Sequence, residues 1–248
     1  MNIALDISPL KSGHFLQHRV RGTGFYTENL KISLQKYFPQ HQYTFFGRGE
    51  VLPKNIDIVH YPYFEPFFLT IPLQKKYKSV ITVHDLTPLV FPKYFPSGIK
   101  GNLKWQIQKM SLKRMNSIIT DSESSRKDII RFTGINEEKV HTVYLAAGEQ
   151  YKIIQNSESG IQNLRKKYKL PEKFALYVGD ITWNKNLLRL IQAIQKTDIP
   201  LVLVGKALVE KNFDKTNPWN QDRVEVQKLI EKDTKKQIHC IGFVPDED

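Results

Sequence analysis

Apolar residues along the chain alternate between short continuous runs and stretches with helical spacing. Short runs rich in β-branched residues are typical of buried parallel strands. Between them, apolar residues recur every three or four positions, as at 187, 190, 191 and 194, which predicts helices. Strands that alternate with helices predict an α/β protein with doubly wound parallel sheets. The predicted strands are 2–7, 43–46, 56–60, 79–83, 117–120, 140–145, 174–178, 201–204 and 238–244.

Three helices are predicted in the N-terminal half, the last of them opened by Asp121–Ser124 and running through Arg131. The loop after the first strand contains Gly22-Thr23-Gly24, and the helical pattern begins at Phe25. A later helix is predicted from Ile99 to Met115. An apolar stripe of this kind normally faces the core. The stripe consists of Ile99, Leu103, Ile107 and Met110.

A polar stretch at about 148–160 predicts a linker between two domains, 1–150 and 161–248. The second domain has three clear strands, whereas a doubly wound domain normally has about five or six. Three strands would leave an edge unprotected, so the second domain is expected to be incomplete.

The composition limits the class of protein. The net charge of +12 favours anionic partners such as nucleic acid, anionic lipid or phosphorylated substrates. Nine of the basic residues lie between Lys93 and Arg131, against three acidic ones, and a solvated helix face is an equally good interpretation. The single cysteine, Cys240, excludes a disulfide scaffold and favours a cytoplasmic location. The N-terminus lacks the basic region of a signal peptide, and no run of about 20 apolar residues could span a bilayer.

Four loops that follow predicted strands could hold chemistry, because ligands of doubly wound sheets bind beyond the carboxyl ends of the strands. At Arg21-Gly22-Thr23-Gly24, backbone N–H groups and Arg21 could approach an anion, although an ordinary tight turn fits equally well. His84-Asp85 could bind a sugar hydroxyl or a phosphate, or form a purely structural contact.

The other two loops lie in the second half. Gly179 begins a loop that runs to Asn186 and opens a helix, where Lys185 could neutralise a diphosphate rather than point into solvent. Gly205-Lys206 could reach the same ligand, although a simple turn is the more economical interpretation. No histidine or cysteine lies at metal-ligand spacing from His84. The sequence also has neither a Walker loop nor a catalytic serine pattern.

In their order along the chain, these segments resemble glycosyltransferase family 4, whose members are retaining enzymes of GT-B fold. The resemblance covers nearly the whole chain. The matching segments are Gly22–Tyr26, Val83–Leu89, Thr120–Ile129, Tyr177–Leu187 and Leu203–Gly205. It implies two Rossmann-like domains, the first binding a glycan or lipid-linked acceptor and the second a GDP- or UDP-linked sugar. It also implies transfer with retention and without a metal or other cofactor.

The resemblance assigns roles to individual residues. Lys185 matches the lysine that stabilises the leaving diphosphate, and His84 matches a histidine near the transferred sugar. Gly22 and Gly24 match the loop near diphosphate and acceptor. Arg21 and Asp85 are assigned to the acceptor side, and Gly179 and Lys206 to the donor phosphates.

Two features depart from the family pattern. Asp180 stands where many members have an arginine after the strand-ending glycine, so Lys185 is expected to carry more of the charge, helped by Lys206. No glutamate of the chain has a second glutamate eight positions later, although the family uses such a pair to bind the donor. Since residues 241–247 resemble the segment leading to it, we expect the chain to be a fragment of a longer enzyme.

Three functions remain open. The leading hypothesis is a glycosyltransferase, with the His84-Asp85-Leu86 segment leaning towards mannose and GDP-mannose. The alternative is an inactive basic module that docks on anionic membrane through the helices at 93–131. Nucleic-acid binding is the least favoured, because aromatic residues other than Trp105 and Phe132 are not interleaved with the basic run. The expected location is the cytoplasm, with the inner face of the membrane left open.

Overall fold

Strands and helices alternate along the chain in the computed structural model, which describes residues 1–11, 21–148, 151 and 158–245. The strands are β1 Asn2–Asp6, β2 Gln42–Phe46, β3 Ile58–Tyr61, β4 Lys78–Thr82, β5 Ser117–Thr120, β6 Val140–Thr142, β7 Ala175–Val178, β8 Leu201–Val204 and β9 Ile238–Gly242. The helices are α1 Arg21–Tyr37, α2 Thr87–Val90, α3 Gly98–Lys113, α4 Glu123–Thr133, α5 Glu158–Tyr168, α6 Leu187–Ile194, α7 Lys206–Val209 and α8 Gln221–Glu231. The α/β class predicted from the hydrophobic pattern is therefore confirmed.

The chain divides into two compact units. The first contains Met1–Lys93 and Ser97–Gly148, and the second contains Tyr94–Pro96 and Glu149–Asp248. The predicted linker at 148–160 falls mostly on residues outside the described ranges, so its structure stays a prediction.

In the first unit, six parallel strands form one sheet in the order β2-β1-β3-β4-β5-β6. From β1 the chain first moves outward to β2, returns to pair β3 with β1, and then proceeds in the opposite direction. The connections after β1 and β3 therefore leave towards opposite sides. Doubly wound sheets bind their ligands at such a switch point, beyond the carboxyl ends of the strands.

In the second unit, three parallel strands form a sheet in the order β7-β8-β9. β8 is central, and Leu201, Val202 and Leu203 in it are completely buried. The apolar face of α6 packs on this strand, because Leu187, Ile191 and Ile194 belong to the same buried cluster. The sheet thus has the local βαβ arrangement that the spacing at 187–194 predicts.

The first helix begins earlier than predicted. α1 starts at Arg21, so Gly22, Thr23 and Gly24 lie in its first turn rather than in a loop before Phe25. The Thr27 hydroxyl donates to the Thr23 carbonyl oxygen at 2.7 Å, a bond typical of helical backbone. The two glycines do not mark the start of the helix here, because their low helix propensity costs little in a first turn that tertiary packing holds in place.

Three of the four residues in the predicted apolar stripe of α3 face solvent, which contradicts the sequence-based expectation, while the fourth, Ile107, is half-buried. Ile99, Leu103 and Met110 are 91%, 64% and 56% exposed. The buried face of the helix carries Trp105, Gln108 and Leu112 instead, together with Gly101 and Ser111. Gln108 can be buried because its amide nitrogen lies within 3.3 Å of three acceptors in the segment after β3, namely the Glu65 and Phe68 carbonyls and the Thr70 hydroxyl.

Candidate functional site

A cavity of about 130 Å³ opens at the switch point of the first sheet. Thr23 reaches it from α1, which follows β1. Tyr63 to Pro66 follow β3, and His84 and Asp85 follow β4. The cavity is lined by Thr23, Tyr63, Phe64, Glu65, Pro66, His84, Asp85 and Pro88.

The lining of the cavity is rich in hydrogen-bond acceptors. Glu65 and Asp85 contribute carboxylates, and none of the described lining residues is a lysine or an arginine. A phosphate would meet like charge here, whereas a molecule with several hydroxyl groups would find acceptors for its hydrogens.

His84, which matched the family histidine, is held by an aspartate that the sequence analysis did not select. The ring Nδ1 lies 2.6 Å from Oδ2 of Asp121. Asp121 directly follows β5, and β5 is the neighbour of β4 in the sheet. Parallel strands end at the same edge, so the residues after β4 and β5 meet there. The other ring nitrogen, Nε2, is buried and has no hydrogen-bond partner among the described residues.

A buried polar chain lies around the ends of β3 and β4. The Thr82 hydroxyl lies 2.9 Å from Nε2 of His60 and 3.0 Å from the Tyr26 hydroxyl. The Tyr26 and His84 rings meet edge to face, with centroids 4.7 Å apart. Burial lowers the pKa of His60 to about 4, and the nearby His84 contributes to the decrease. His60 is therefore neutral in this chain at physiological pH.

The other predicted residues of this half are placed as follows. The Asp85 carboxylate accepts a hydrogen bond at 2.8 Å from the backbone N–H of Thr87, the first residue of α2, and His84 contacts Asp121 instead. Gly24 is buried in the first turn of α1, and Gly22 is exposed there. Arg21 is the first residue of that helix. Their assignment to phosphate and acceptor stays a prediction.

In the second unit, two glycines bring the ends of β7 and β8 close together. Gly179 follows β7 and Gly205 follows β8. The Gly179 N–H donates to the Val204 carbonyl oxygen at 3.0 Å. The Gly205 N–H donates to the carbonyl oxygen of Gly242, at the end of β9, at 2.7 Å. A Cβ atom at Gly205 would lie 2.2 Å from the Gly179 carbonyl oxygen, which no side chain tolerates. The close approach explains the need for glycine at this place.

Lys185 lies just before the N-terminus of α6, as the sequence predicts. It is the last residue of a 3₁₀ turn over Trp183–Lys185, and Asn186 then takes a left-handed conformation with φ +53°. Lys185 is exposed, and no side chain caps α6. Lys185 thus lies two residues before a helix N-terminus whose first-turn N–H groups have no side-chain cap, and such a sequence position is suited to binding an anion. Lys206, the first residue of α7, is also exposed.

An aromatic group fixes the turn that carries Lys185. The Tyr94 ring stacks on Trp183 with centroids 3.8 Å apart and an interplanar angle of 13°. Phe95 meets Trp219 edge to face at 5.2 Å, and the Trp219 indole N–H donates to the Pro96 carbonyl oxygen at 3.2 Å. Tyr94–Pro96 belong to the second unit, so this segment restrains the Trp183 turn from within that unit.

Within the described ranges no group of three or more histidine, cysteine, aspartate and glutamate side chains could hold a metal ion. In the same residues no helix is long and apolar enough to cross a membrane.

Two mannosyltransferases of Escherichia coli are similar to this chain in sequence. The serotype-specific mannosyltransferase WbdA is 30% identical over 142 residues, which are 54% of this chain and 17% of WbdA. The O-antigen chain mannosyltransferase B is 30% identical over 179 residues, which are 69% of this chain and 43% of that protein. The chain therefore spans less than half the length of either relative.

Solved structures share the fold. Anabaena Alr3699/HepE, crystallised in complex with UDP, has a TM-score of 0.61 at 15% identity over 99% of this chain and 70% of its own. Sucrose-phosphate synthase from Thermosynechococcus elongatus has a TM-score of 0.61 at 12% identity over 100% of this chain and 71% of its own. These likenesses confirm the expected GT-B-like α/β fold. The family described as Glycosyltransferase Family 4 matches residues 15–146, more than half of the sequence, and the chain belongs to that family.

Proposed function

We propose that the chain is part of a glycosyltransferase that moves mannose from GDP-mannose to a hydroxyl group of a glycan or lipid-linked acceptor. The observation that carries the proposal is the cavity at the β1/β3 switch point in a member of this family. The cavity is lined by hydrogen-bond acceptors, and His84 lies in its wall. The names of the two relatives support mannose as the sugar. UDP-linked sugars are the alternative donors, since the HepE structures contain UDP and UDP-glucose.

In the proposed reaction, the bond between the anomeric carbon and the diphosphate oxygen breaks, and a bond to the acceptor oxygen forms. The acceptor hydroxyl proton leaves with the nucleoside diphosphate or passes to solvent. Negative charge develops on the leaving oxygen, so a cation placed there lowers the barrier. Lys185 and the N-terminus of α6 supply that positive charge in our proposal, with Lys206 beside them. No metal is required in this scheme, and the configuration of the anomeric carbon is retained.

A transfer assay tests the proposal. The chain is incubated with radiolabelled GDP-mannose or UDP-glucose and with saccharide and lipid extracts as acceptors. We expect transfer of mannose, a loss of about 100-fold in Lys185→Met, and no loss in Lys235→Met, which removes the same charge from an exposed turn of the same unit. Absence of transfer from both donors by the unmodified chain would contradict the proposal.

We also propose that the enzyme contacts the cytoplasmic face of an anionic membrane through α3. The exposed apolar residues Ile99, Leu103 and Met110 fall within about 40° of arc on the helix. The helix has four lysines and no acidic residue. Lys100 and Lys104 flank the apolar row on one side, and Lys109 and Lys113 flank it on the other.

The segment after β3 extends this surface. Phe68 and Thr70 bond to Gln108 of α3, and the Leu73 carbonyl accepts from Arg114 at 3.3 Å. This segment therefore runs alongside the helix. Leu69 and Leu73 are 43% and 53% exposed. An exposed apolar row flanked by cations is the pattern of a helix that lies in a membrane interface.

Vesicle sedimentation tests this contact. We expect the chain to sediment with vesicles containing 30% phosphatidylglycerol, to release them as salt is raised, and to ignore pure phosphatidylcholine, since about 1 kcal/mol per surface cation is available only on anionic lipid. Leu103→Asp and Lys100→Glu should each reduce binding. Lys127→Glu, which reverses a charge on the exposed side of α4, is the control. Equal binding by all variants, or none by the unmodified chain, would refute the contact.

A further inference from the structure

The contact between His84 and Asp121 determines which ring nitrogen carries the hydrogen. Nδ1 lies 2.6 Å from Oδ2 of Asp121. An ionised carboxylate can only accept, so Nδ1 must donate. In a neutral imidazole the second nitrogen, Nε2, is then left with a lone pair. We propose that Asp121 is a positioning residue that holds His84 with its hydrogen on Nδ1, so that Nε2 accepts a hydrogen bond from a hydroxyl group of the sugar substrate.

Asp121 acts through His84 in this proposal. His84 lines the cavity at the switch point, whereas Asp121 is not among the lining residues. The two side chains are 23% and 20% exposed, so each keeps limited access to solvent. Ser122 caps α4 by accepting from the backbone N–H of Ser125, which leaves the Asp121 carboxylate available for the histidine.

The surroundings of His84 fix the plane of its ring as well as its hydrogen. The Tyr26 ring of α1 packs against it at 87°. Burial raises the pKa of Tyr26, and the charge of Asp121 adds to that increase, so Tyr26 stays a neutral hydroxyl. The other titratable groups near the ring are His60 of β3, and Glu65 and Asp85, which line the same cavity.

Two buried atoms of the pair are left without partners. His84 Nε2 and Asp121 Oδ1 make no hydrogen bond among the described residues. Buried polar atoms without partners are rare, because each loses the hydrogen bonds that it would make to water. The Nε2 lone pair lies in a cavity wall that also contains the Glu65 and Asp85 carboxylates. Such a wall favours a ligand that donates hydrogen bonds, as the hydroxyl groups of a sugar do. The proposal rests on the glycosyltransferase function for the identity of that ligand, but the position of the hydrogen can be measured separately.

Nitrogen-15 NMR of the histidine rings measures the tautomer directly. The chain is labelled with ¹⁵N-histidine, His84 is assigned with His84→Gln, and spectra are recorded at pH 8. We expect the Nδ1–H form in the unmodified chain. Asp121→Asn keeps the shape of the side chain but can donate as well as accept, so it should release the tautomer and populate Nε2–H. Glu123→Gln, which removes an exposed carboxylate two positions later, should leave the spectrum unchanged.

Addition of GDP-mannose provides a second readout. We expect its binding to shift the Nε2 resonance of His84 in the unmodified chain, as acceptance of a hydrogen bond requires. In the transfer assay, Asp121→Asn should lower kcat/KM by about 10- to 100-fold, the range expected when a buried hydrogen bond to a charged acceptor is weakened and no longer fixes the tautomer. In a His84→Ala background, the same substitution should have no further effect, since Asp121 then has no ring to orient.

Each outcome decides the proposal. An Nε2–H tautomer in the unmodified chain, or a tautomer unchanged in Asp121→Asn, would overturn it. So would an Nε2 resonance that ignores both GDP-mannose and UDP-glucose when the chain binds one of them, or an equal loss of activity in both backgrounds, which is the result expected of a merely structural aspartate. If the unmodified chain transfers no sugar, the glycosyltransferase proposal fails, while the NMR spectra still establish whether Asp121 sets the tautomer.

Discussion

Replacement of His60 by glutamine should make the first unit less sensitive to acid. His60 lies in β3, with its Nε2 2.9 Å from the Thr82 hydroxyl. Burial is the main cause that lowers its pKa from 6.5 to about 4, the nearby His84 adds to the decrease, and Asp6 opposes it. The unfolded chain therefore binds a proton between pH 6.5 and pH 4 that the folded chain does not bind.

The sign and size of the effect follow from this difference. Since the unfolded state binds more protons in this window, stability rises with pH from 4 to 6.5 and is lost as pH falls through it. At 1.36 kcal/mol for each pH unit, roughly 2.5 pH units correspond to about 3 kcal/mol. Between pH 7 and pH 4.5 the loss attributable to His60 is about 2 kcal/mol. At pH 5 it corresponds to an uptake of about 0.9 proton on unfolding.

Urea unfolding at several pH values, followed by circular dichroism, measures this loss. His60→Gln keeps a polar group near the Thr82 hydroxyl but cannot titrate, so its stability should fall by about 2 kcal/mol less than that of the unmodified chain between pH 7 and pH 4.5. His141→Gln, on an exposed ring of β6, is the matched control and should follow the unmodified chain. Parallel pH profiles for His60→Gln and the unmodified chain would show that His60 does not cause the acid sensitivity.

Two further substitutions test the packing that supports each unit. Gly205→Ala should destabilise the second unit by about 2–4 kcal/mol in urea unfolding, because its Cβ would overlap the Gly179 carbonyl oxygen, whereas Gly22→Ala has open space and should be neutral or slightly stabilising. Arg48→Met should cost about 3–5 kcal/mol, since it leaves the buried Asp6 carboxylate without the guanidinium that lies 2.6 Å away. Asp6→Asn in the Arg48→Met background should recover part of that loss, and no recovery would contradict the charge argument.

The sequence predicts the strands of both units well, because a buried parallel strand needs a continuous apolar run and few other segments have one. It fails on the orientation of α3. Helical spacing identifies an apolar face, but Ile99 and Leu103 lie on the opposite side from the buried Gln108. An amide whose nitrogen has acceptors can be buried where a leucine would be expected, and the sequence does not show where those acceptors are.

The candidate site likewise has parts that the sequence predicts and parts that it does not. The position of Lys185 before α6 follows from local sequence, since the turn and the helix start are encoded by neighbouring residues. The pair formed by His84 and Asp121 depends on β4 and β5 being neighbours in the sheet, which no single segment encodes. Its signal was nevertheless available, because both residues directly follow a predicted strand. The stack of Tyr94 on Trp183 had no such signal, since Trp183 lies in the Tyr177–Leu187 segment but Tyr94 lies outside all the matching segments.

Titration calorimetry with GDP-mannose measures whether the second unit binds a donor. We propose that the loop from Gly179 to Lys185 and the start of α6 bind the diphosphate of a nucleotide sugar. We expect measurable binding to the unmodified chain, binding weakened about 10- to 100-fold in Lys185→Met, and unchanged binding in Lys235→Met. Equal affinity in all three proteins, or no binding of either GDP-mannose or UDP-glucose, would contradict this proposal.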